Sequence, residues 1–226
     1  MPNIGPFENY PDRYEEWFER NRFAYLSELE AVKRLLPKGR GVEIGVGSGR
    51  FSQPLGIKLG VEPSRKMAEL ARKKGIEVVK GTAEDLPFRD GEFDFALMVT
   101  TICFLDDVET AFREVYRILK PGGSVIIGFI DKNGPIGKLY QDRKKENVFY
   151  MMTTFYSVGE LLSLLEKSGF KDFSLMQTIF QGPGEIDDIE PVKKGYGEGS
   201  FVVIKGLKPL DGKKLRCAGK WGVDET

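Results

Sequence analysis

The chain has 226 residues, 41% of them hydrophobic, and its 34 basic and 34 acidic residues balance to a formal net charge of zero. That balance excludes the basic excess expected of a nucleic-acid-binding surface, and the absence of any histidine excludes Ser-His and Cys-His nucleophilic pairs and histidine metal centres. Length and hydrophobic content fit a single domain over residues 1–226.

In chain order, residues 1–10 read as irregular. From Pro11 to Leu36, Tyr14, Phe18, Tyr25, Leu29, Val32 and Leu36 recur at helical spacings, on one long helix or two short ones. Pro37 and Gly39 end this pattern, so residues 1–36 form an expected helical cap rich in aromatic side chains. A strand follows over residues 41–46, and Gly45, Gly47 and Gly49 then turn the chain into a short helix. Ile57 to Glu62 reads as a second strand, residues 64–74 as a helix closed by Gly75, and Ile76 to Val79 as a third strand. Phe93 to Val99 is an apolar, central strand. Asp106 or Asp107 caps the next helix, Pro121-Gly122-Gly123 is a turn, and Ser124 to Ile130 is a fifth strand.

Alternating strands and helices with short links predict a parallel sheet with helices on both faces. Residues 131–156 are too long for a tight link, and they carry Phe149, Tyr150, Met151, Met152, Phe155 and Tyr156. They read as a lid-like insertion beside the C-terminal edge of strand five. Ser157 and Glu160 form a capping box for a helix ending at Gly169. Strands over residues 170–180 and 199–206, a loop over 182–199 and a polar tail over 207–226 complete the chain. No leader segment or membrane-length apolar run is visible, and Cys103 and Cys217 make no metal or disulfide pattern, so the expected location is cytoplasmic. The many charged residues beside few glutamines and asparagines lean towards a thermophile.

The glycine turn after strand one presents backbone N–H groups to a ligand lying against the main chain. Glu62 ends strand two, 17 residues after Gly45, where a carboxylate can accept hydrogen bonds from both hydroxyls of a ribose. Gly81-Thr82-Ala83-Glu84-Asp85-Leu86-Pro87-Phe88 follows strand three in position to close over a base, with Leu86 packing on its face.

The set V-E-I-G-V-G-S-G, G-V-E-P-S, G-T-A-E-D-L-P-F, F-D-F-A-L-M-V-T and L-K-P-G-G-S, in this order across about residues 40–130, resembles the class I S-adenosylmethionine-dependent methyltransferases. The likeness is greatest to the small-molecule branch that includes the ubiquinone and menaquinone biosynthesis enzymes. The resemblance implies a Rossmann-like α/β fold with a seven-stranded sheet, order 3-2-1-4-5-7-6, strand seven antiparallel. It implies S-adenosylmethionine as cofactor and S-adenosylhomocysteine as product; no metal is expected, and the aromatic composition of the N-terminal segment and the 131–156 insertion suggests a flat or apolar small molecule as acceptor. The resemblance further implies that Glu43 holds the methionine amine through water, that Gly45 and Gly47 give room to the methionine part, and that Glu62 takes the ribose hydroxyls with Pro63 beside the adenine. Ala83 offers its N–H to the ring, Glu84 flanks it, and Thr100 faces the methyl end. Two departures stand out. Thr82 replaces an aspartate common in relatives, and the segment Thr100 to Asp106 lacks both a histidine common there and an Asn-Pro-Pro-Tyr signature.

Transfer of a sulfonium methyl is a direct in-line displacement that demands alignment more than acid–base help. Where a base is needed, Asp131 at the end of strand five is the first candidate, followed by Tyr10 and Tyr14. The acceptor is expected between the N-terminal aromatics and the 131–156 insertion. Two other classes compete. One is a non-catalytic S-adenosylmethionine-binding protein. The other is an NAD-dependent oxidoreductase, against which the G-x-G-x-G spacing speaks.

Overall fold

In the computed structural model, residues 4–151, 153–182 and 184–210 are described. The expected polar tail lies outside the described residues from position 211 onward. Eight strands form one sheet: β1 (Gly41–Ile44), β2 (Leu59–Val61), β3 (Glu77–Val79), β4 (Phe93–Val99), β5 (Leu119–Ile130), β6 (Lys171–Thr178), β7 (Lys193–Lys194) and β8 (Phe201–Leu207). Their order is β3-β2-β1-β4-β5-β8-β6-β7. The first five pair in parallel, and β8 runs antiparallel to both β5 and β6. The implied seven-stranded order is therefore present, with β8 in the place of the antiparallel strand. The eighth strand is β7, a two-residue edge pairing with Met176 and Gln177 inside the segment expected to be loop. Gly195 and Gly197, both at positive φ, bend the chain back immediately after it.

The helices are α1 (Gly5–Asn9), α2 (Pro11–Arg20), α3 (Arg22–Leu35), α4 (Ser52–Leu55), α5 (Arg65–Lys73), α6 (Val108–Ile118), α7 (Pro135–Asp142) and α8 (Val158–Lys167). The expected caps are in place: Asp107 accepts from the Thr110 N–H at 3.0 Å, and Ser157 with Glu160 makes the capping box. Strand alternation divides the core between the two faces of the sheet. Ala96, Met98, Val125, Ile127, Val202 and Ile204 meet α6 and α8 through Phe112, Val115, Leu161 and Leu165. Phe95, Leu97, Val99, Ile126, Phe201 and Val203 meet α3 through Ala31, Val32 and Leu35. Each large side chain so buried contributes about 1.5–3 kcal/mol, which makes β4, β5 and β8 the centre of the fold.

Three local expectations need correction. The N-terminal residues expected to be irregular contain α1, started by Pro6. The Pro121-Gly122-Gly123 turn is instead an irregularity within β5: Phe93 pairs with Leu119 but Phe95 pairs with Ser124, so β5 carries surplus residues between the two pairings. The buried stripe of α3 is Ala24, Ser27, Glu28, Ala31, Val32 and Leu35 rather than Tyr25, Leu29 and Leu36, which are only partly buried. Small residues at 24, 27 and 31 let the helix lie close to the sheet. No helix among the described residues is long and apolar enough to cross a membrane.

Candidate active site

The C-terminal ends of the parallel strands converge where the strand order reverses between β1 and β4, the position at which open α/β sheets form a crevice. The crevice is a cavity of about 780 Å³ lined by Gly45, Gly47, Glu62, Pro63, Thr82, Ala83, Glu84 and Thr100, and by aromatic side chains from the N-terminal helices and the 131–156 segment. One cavity therefore joins eight of the nine residues expected to hold the cofactor. Glu43, the ninth, does not line it.

Gly45 leaves β1 at φ +71°, and a Cβ there would lie 2.4 Å from Thr101 Cγ2. The loop can therefore pass this point only as glycine. Gly47 turns its N–H onto Glu62 Oε2 at 2.8 Å, while the Ser64 N–H donates to Oε1 at 2.9 Å. These two amides fix the carboxylate at the cavity wall, and each oxygen keeps acceptor capacity for a further donor. Burial pushes the Glu62 carboxyl up to about 7. Glu43 stands behind the loop, only 2% exposed, and accepts a hydrogen bond from the Ser52 hydroxyl. Burial pushes its carboxyl up to about 8.

The 81–88 segment is held from α6. Arg117 donates to the carbonyls of Leu86 at 2.9 Å and Phe88 at 2.7 Å while pairing with Glu114 and Asp90. The Leu86 N–H donates to Glu114 Oε2 at 2.9 Å. Leu86 itself points into the core with Phe93 and does not line the cavity, so it is not the residue that lies on a base. Glu84 Oε1 accepts from the Asp106 N–H at 3.1 Å, and its other oxygen is buried with no hydrogen-bond partner at the cavity edge. Thr100 has φ +50°, an outlier for a β-branched residue, and its N–H is tied to the Gly128 carbonyl at 2.8 Å. Thr101 steadies the same turn through hydrogen bonds to the carbonyls of Ile44 and Val99.

The N-terminal helices are pinned to this frame by charge. Glu8 of α1 accepts from the Ser64 hydroxyl at 2.8 Å and from the Arg65 N–H at 2.5 Å, at the start of α5 and two residues from Glu62. Glu15 of α2 pairs with Arg50 at 2.7 Å and with Lys74 at 3.3 Å. The aromatic side of the cavity is closed by ring contacts: Phe7 meets Phe104 at 5.0 Å and Phe149 at 5.5 Å, which brings the N-terminal helices onto the 131–156 segment. Tyr140 and Tyr150 stack at 4.7 Å. Glu28 of α3 also lines the cavity and is 5% exposed.

Of the three candidate bases, only Tyr14 lines the cavity. Burial, reinforced by the charges of Glu43, Glu62 and Glu15, pushes its phenol far above the ordinary range, so it can donate a hydrogen bond but not take up a proton. Asp131 is 4% exposed and caps its own turn, accepting from the Asn133 N–H at 3.1 Å. Tyr10 is 43% exposed, away from the cavity. Cys103 also lines the cavity; burial pushes its thiol up to about 12, and its Sγ donates to the Thr100 carbonyl at 3.4 Å. The sequence reading passed over Glu28, whose signal was a charge at helical spacing among Ala24, Ala31 and Leu35. It also passed over Glu8, Glu15 and Arg50, which carry no local signal because each acts across the fold.

Residues 42–127 match a family described as a methyltransferase domain. An uncharacterised protein of Methanocaldococcus jannaschii is 46% identical over 202 residues, covering 89% of this chain and 98% of that protein. A Thermotoga maritima crystal structure, described as an S-adenosylmethionine-dependent methyltransferase and possible histamine N-methyltransferase, is 59% identical, covers 89% of this chain and 97% of that one, and has a TM-score of 0.88. A demethylmenaquinone methyltransferase of Lactococcus lactis is 29% identical over 173 residues, covering 69% of this chain and 66% of that enzyme.

Proposed function

The chain belongs to the class I S-adenosylmethionine-dependent methyltransferases, and on that premise we propose that it methylates a small molecule held in the apolar half of the cavity. One observation carries the proposal: the Gly45–Gly47–Glu62–Thr100 wall opens directly into a chamber walled by Trp17, Phe149, Tyr150 and Phe155. The residues fit the cofactor. Glu62, already aligned by two amides, accepts from the ribose hydroxyls. Gly45 and Gly47 leave space for the methionine chain, and Pro63, Thr82, Ala83 and Glu84 border the base. Glu43 acts from behind the loop, through the backbone it supports or through water. When bound, S-adenosylmethionine supplies a methyl group activated by the sulfonium, which a nucleophile displaces in line.

The protein's own contribution is alignment and exclusion of water. Helices α1 to α3 and the 131–156 segment cover the crevice, the first as cap and the second as lid. Tyr14 stays protonated and Asp131 is engaged in its turn, so the acceptors best suited to this site need no strong base: a neutral amine or a readily ionised thiol.

Two measurements test this. Thermal unfolding is expected to rise with S-adenosylhomocysteine and S-adenosylmethionine and not with NAD. A ligand at about 100 times its dissociation constant adds about 2.7 kcal/mol. Stabilisation by NAD alone would remove the cofactor assignment. Replacing Trp17 and Tyr150 together with alanine is expected to raise KM for an identified acceptor at least about tenfold, from the lost apolar contact, with little change in cofactor affinity. Unchanged turnover in that variant would place the acceptor elsewhere.

A further inference from the structure

We infer that Glu28 is the recognition point for a positively charged group on the acceptor, so that the substrates are small molecules that carry, on an apolar body, one cationic group distinct from the neutral amine or thiol that takes the methyl. The inference rests on the reading of this cavity as the acceptor chamber of a small-molecule methyltransferase.

Glu28 sits midway along α3, on the stripe that otherwise buries Ala24, Ser27, Ala31, Val32 and Leu35. It is 5% exposed and lines the cavity. Other buried carboxylates have local donors. Glu43 has the Ser52 hydroxyl, Glu62 has the amides of Gly47 and Ser64, Asp131 has the Asn133 N–H, and Glu190 has the N–H groups of Phe180 and Gln181. Among the described residues, no hydrogen bond or ion pair reaches Glu28. A carboxylate taken out of water without a partner costs several kcal/mol, and buried charges are ordinarily paired. This one faces the space in which the acceptor is placed.

Its surroundings favour a cation. Tyr140 and Tyr150, stacked at 4.7 Å, line the same chamber and lie close enough for the charge of Glu28 to raise both phenols, after the larger effect of their own burial. Aromatic faces attract cations, and Trp17 and Phe155 extend that lining. The carboxylate takes the charged group and the rings take the body. A neutral acceptor of the same shape would fill the rings and leave the carboxylate unpaired, so the arrangement selects for charge. Burial pushes the Glu28 carboxyl up to about 8, and an incoming ammonium supplies the partner that favours its ionised form.

The test uses calorimetry on the full chain saturated with S-adenosylhomocysteine. The probes are phenethylamine and histamine, with 2-phenylethanol as the neutral counterpart of the first. At least one amine is expected to bind about tenfold or more tightly than the alcohol. E28Q is expected to lower amine affinity about tenfold or more, alcohol affinity less than about twofold, and S-adenosylhomocysteine affinity not at all. Replacing a buried carboxyl that has no hydrogen-bond partner among the described residues is also expected to leave thermal unfolding of E28Q at or above that of the unaltered chain. Equal binding of amine and alcohol, failure of both amines to bind, or an amine preference that survives E28Q would overturn the inference. So would a markedly less stable E28Q protein, which would assign Glu28 to the architecture. None of these outcomes touches the cofactor assignment, which instead fails if S-adenosylhomocysteine does not bind the unaltered chain. The comparison of amine with alcohol needs no variant and holds even if E28Q does not fold.

Discussion

Replacing Glu62 with alanine is expected to weaken S-adenosylhomocysteine binding by about 100-fold or more and to abolish the stabilisation that this ligand confers. A hydrogen bond to a charged acceptor is worth about 1.5–3 kcal/mol, and two ribose hydroxyls depend on this carboxylate. Each 1.4 kcal/mol is a factor of ten in affinity. The variant also frees the N–H groups of Gly47 and Ser64, so the glycine turn keeps only the Gly45 and Val46 N–H bonds to the Val61 carbonyl to hold it against β2. Glutamine is expected to rescue little, because each carboxylate oxygen accepts from a backbone N–H, so the amide nitrogen that replaces either one faces the Gly47 or the Ser64 N–H. The effect carries a pH signature. Burial pushes the Glu62 carboxyl up to about 7, and only the ionised form accepts from two amides and two hydroxyls at once. Cofactor affinity should therefore rise between about pH 6 and pH 8 and level off above, and the Glu62→Gln protein should lack that rise. The stability term has the opposite sign. A carboxyl whose folded value lies above its unfolded value stabilises the ligand-free protein fully below about pH 4.3, and this contribution is lost as the pH rises through about 7. The gap in unfolding temperature between bound and free protein should accordingly widen with pH. Calorimetric affinities within about threefold of the unaltered chain in Glu62→Ala would remove Glu62 from the cofactor site.

The features of the site that could be read from the sequence are those fixed by backbone order. Val42 to Phe51 announces a strand and a glycine turn, Glu62 follows at strand-end spacing, and residues 81–88 follow the next strand. Parallel topology then brings all three to one end of the sheet whatever the side chains around them do. Leu86 could not be placed in this way. A leucine in a turn can face a ligand or the core, and Arg117, thirty-one positions away, holds the turn so that it faces the core. Asp131 posed the same difficulty: its position at a strand end is that of a general base, but the local turn to Asn133 takes its oxygen. Glu28, Glu8 and the Glu15–Arg50–Lys74 network depend on how α1 to α3 dock, which periodicity does not specify. Periodicity located the helices yet misplaced the buried face of α3, because alanine and serine carry little hydrophobic signal while permitting the closest approach.

Gly45→Ala tests whether the turn is built as tightly as its backbone implies, and it is expected to destabilise the protein by about 2–5 kcal/mol and to remove measurable cofactor binding. Two costs add. The residue has φ +71°, where a Cβ meets the following carbonyl at about 1–2 kcal/mol. The added methyl group would also lie 2.4 Å from Thr101 Cγ2 and 2.6 Å from its Oγ1, and forced overpacking costs about 1–3 kcal/mol. Thr101 cannot swing aside cheaply, since its hydroxyl is bound to the carbonyls of Ile44 and Val99 and the preceding Thr100 is already at positive φ. The double variant Gly45→Ala/Thr101→Ala separates the two costs. It removes Cγ2 and Oγ1 and leaves Thr101 Cβ at 3.1 Å, a distance that a shift of a few tenths of an ångström relieves. Steric cost should then be recovered while the dihedral cost stays, so the double variant is expected to be more stable than the sum of the two single changes by about 1–2 kcal/mol, measured by denaturant unfolding. Strict additivity would mean that the two side chains do not meet, and that the β1 turn has room which these contacts deny. Cofactor affinity should return only in part even where stability does: the amides of residues 45, 46, 47 and 49 are not free for a ligand but donate to Val61, Glu62 and Val46, and that arrangement, which leaves the ligand its space and aligns Glu62, requires residue 45 to keep its left-handed conformation.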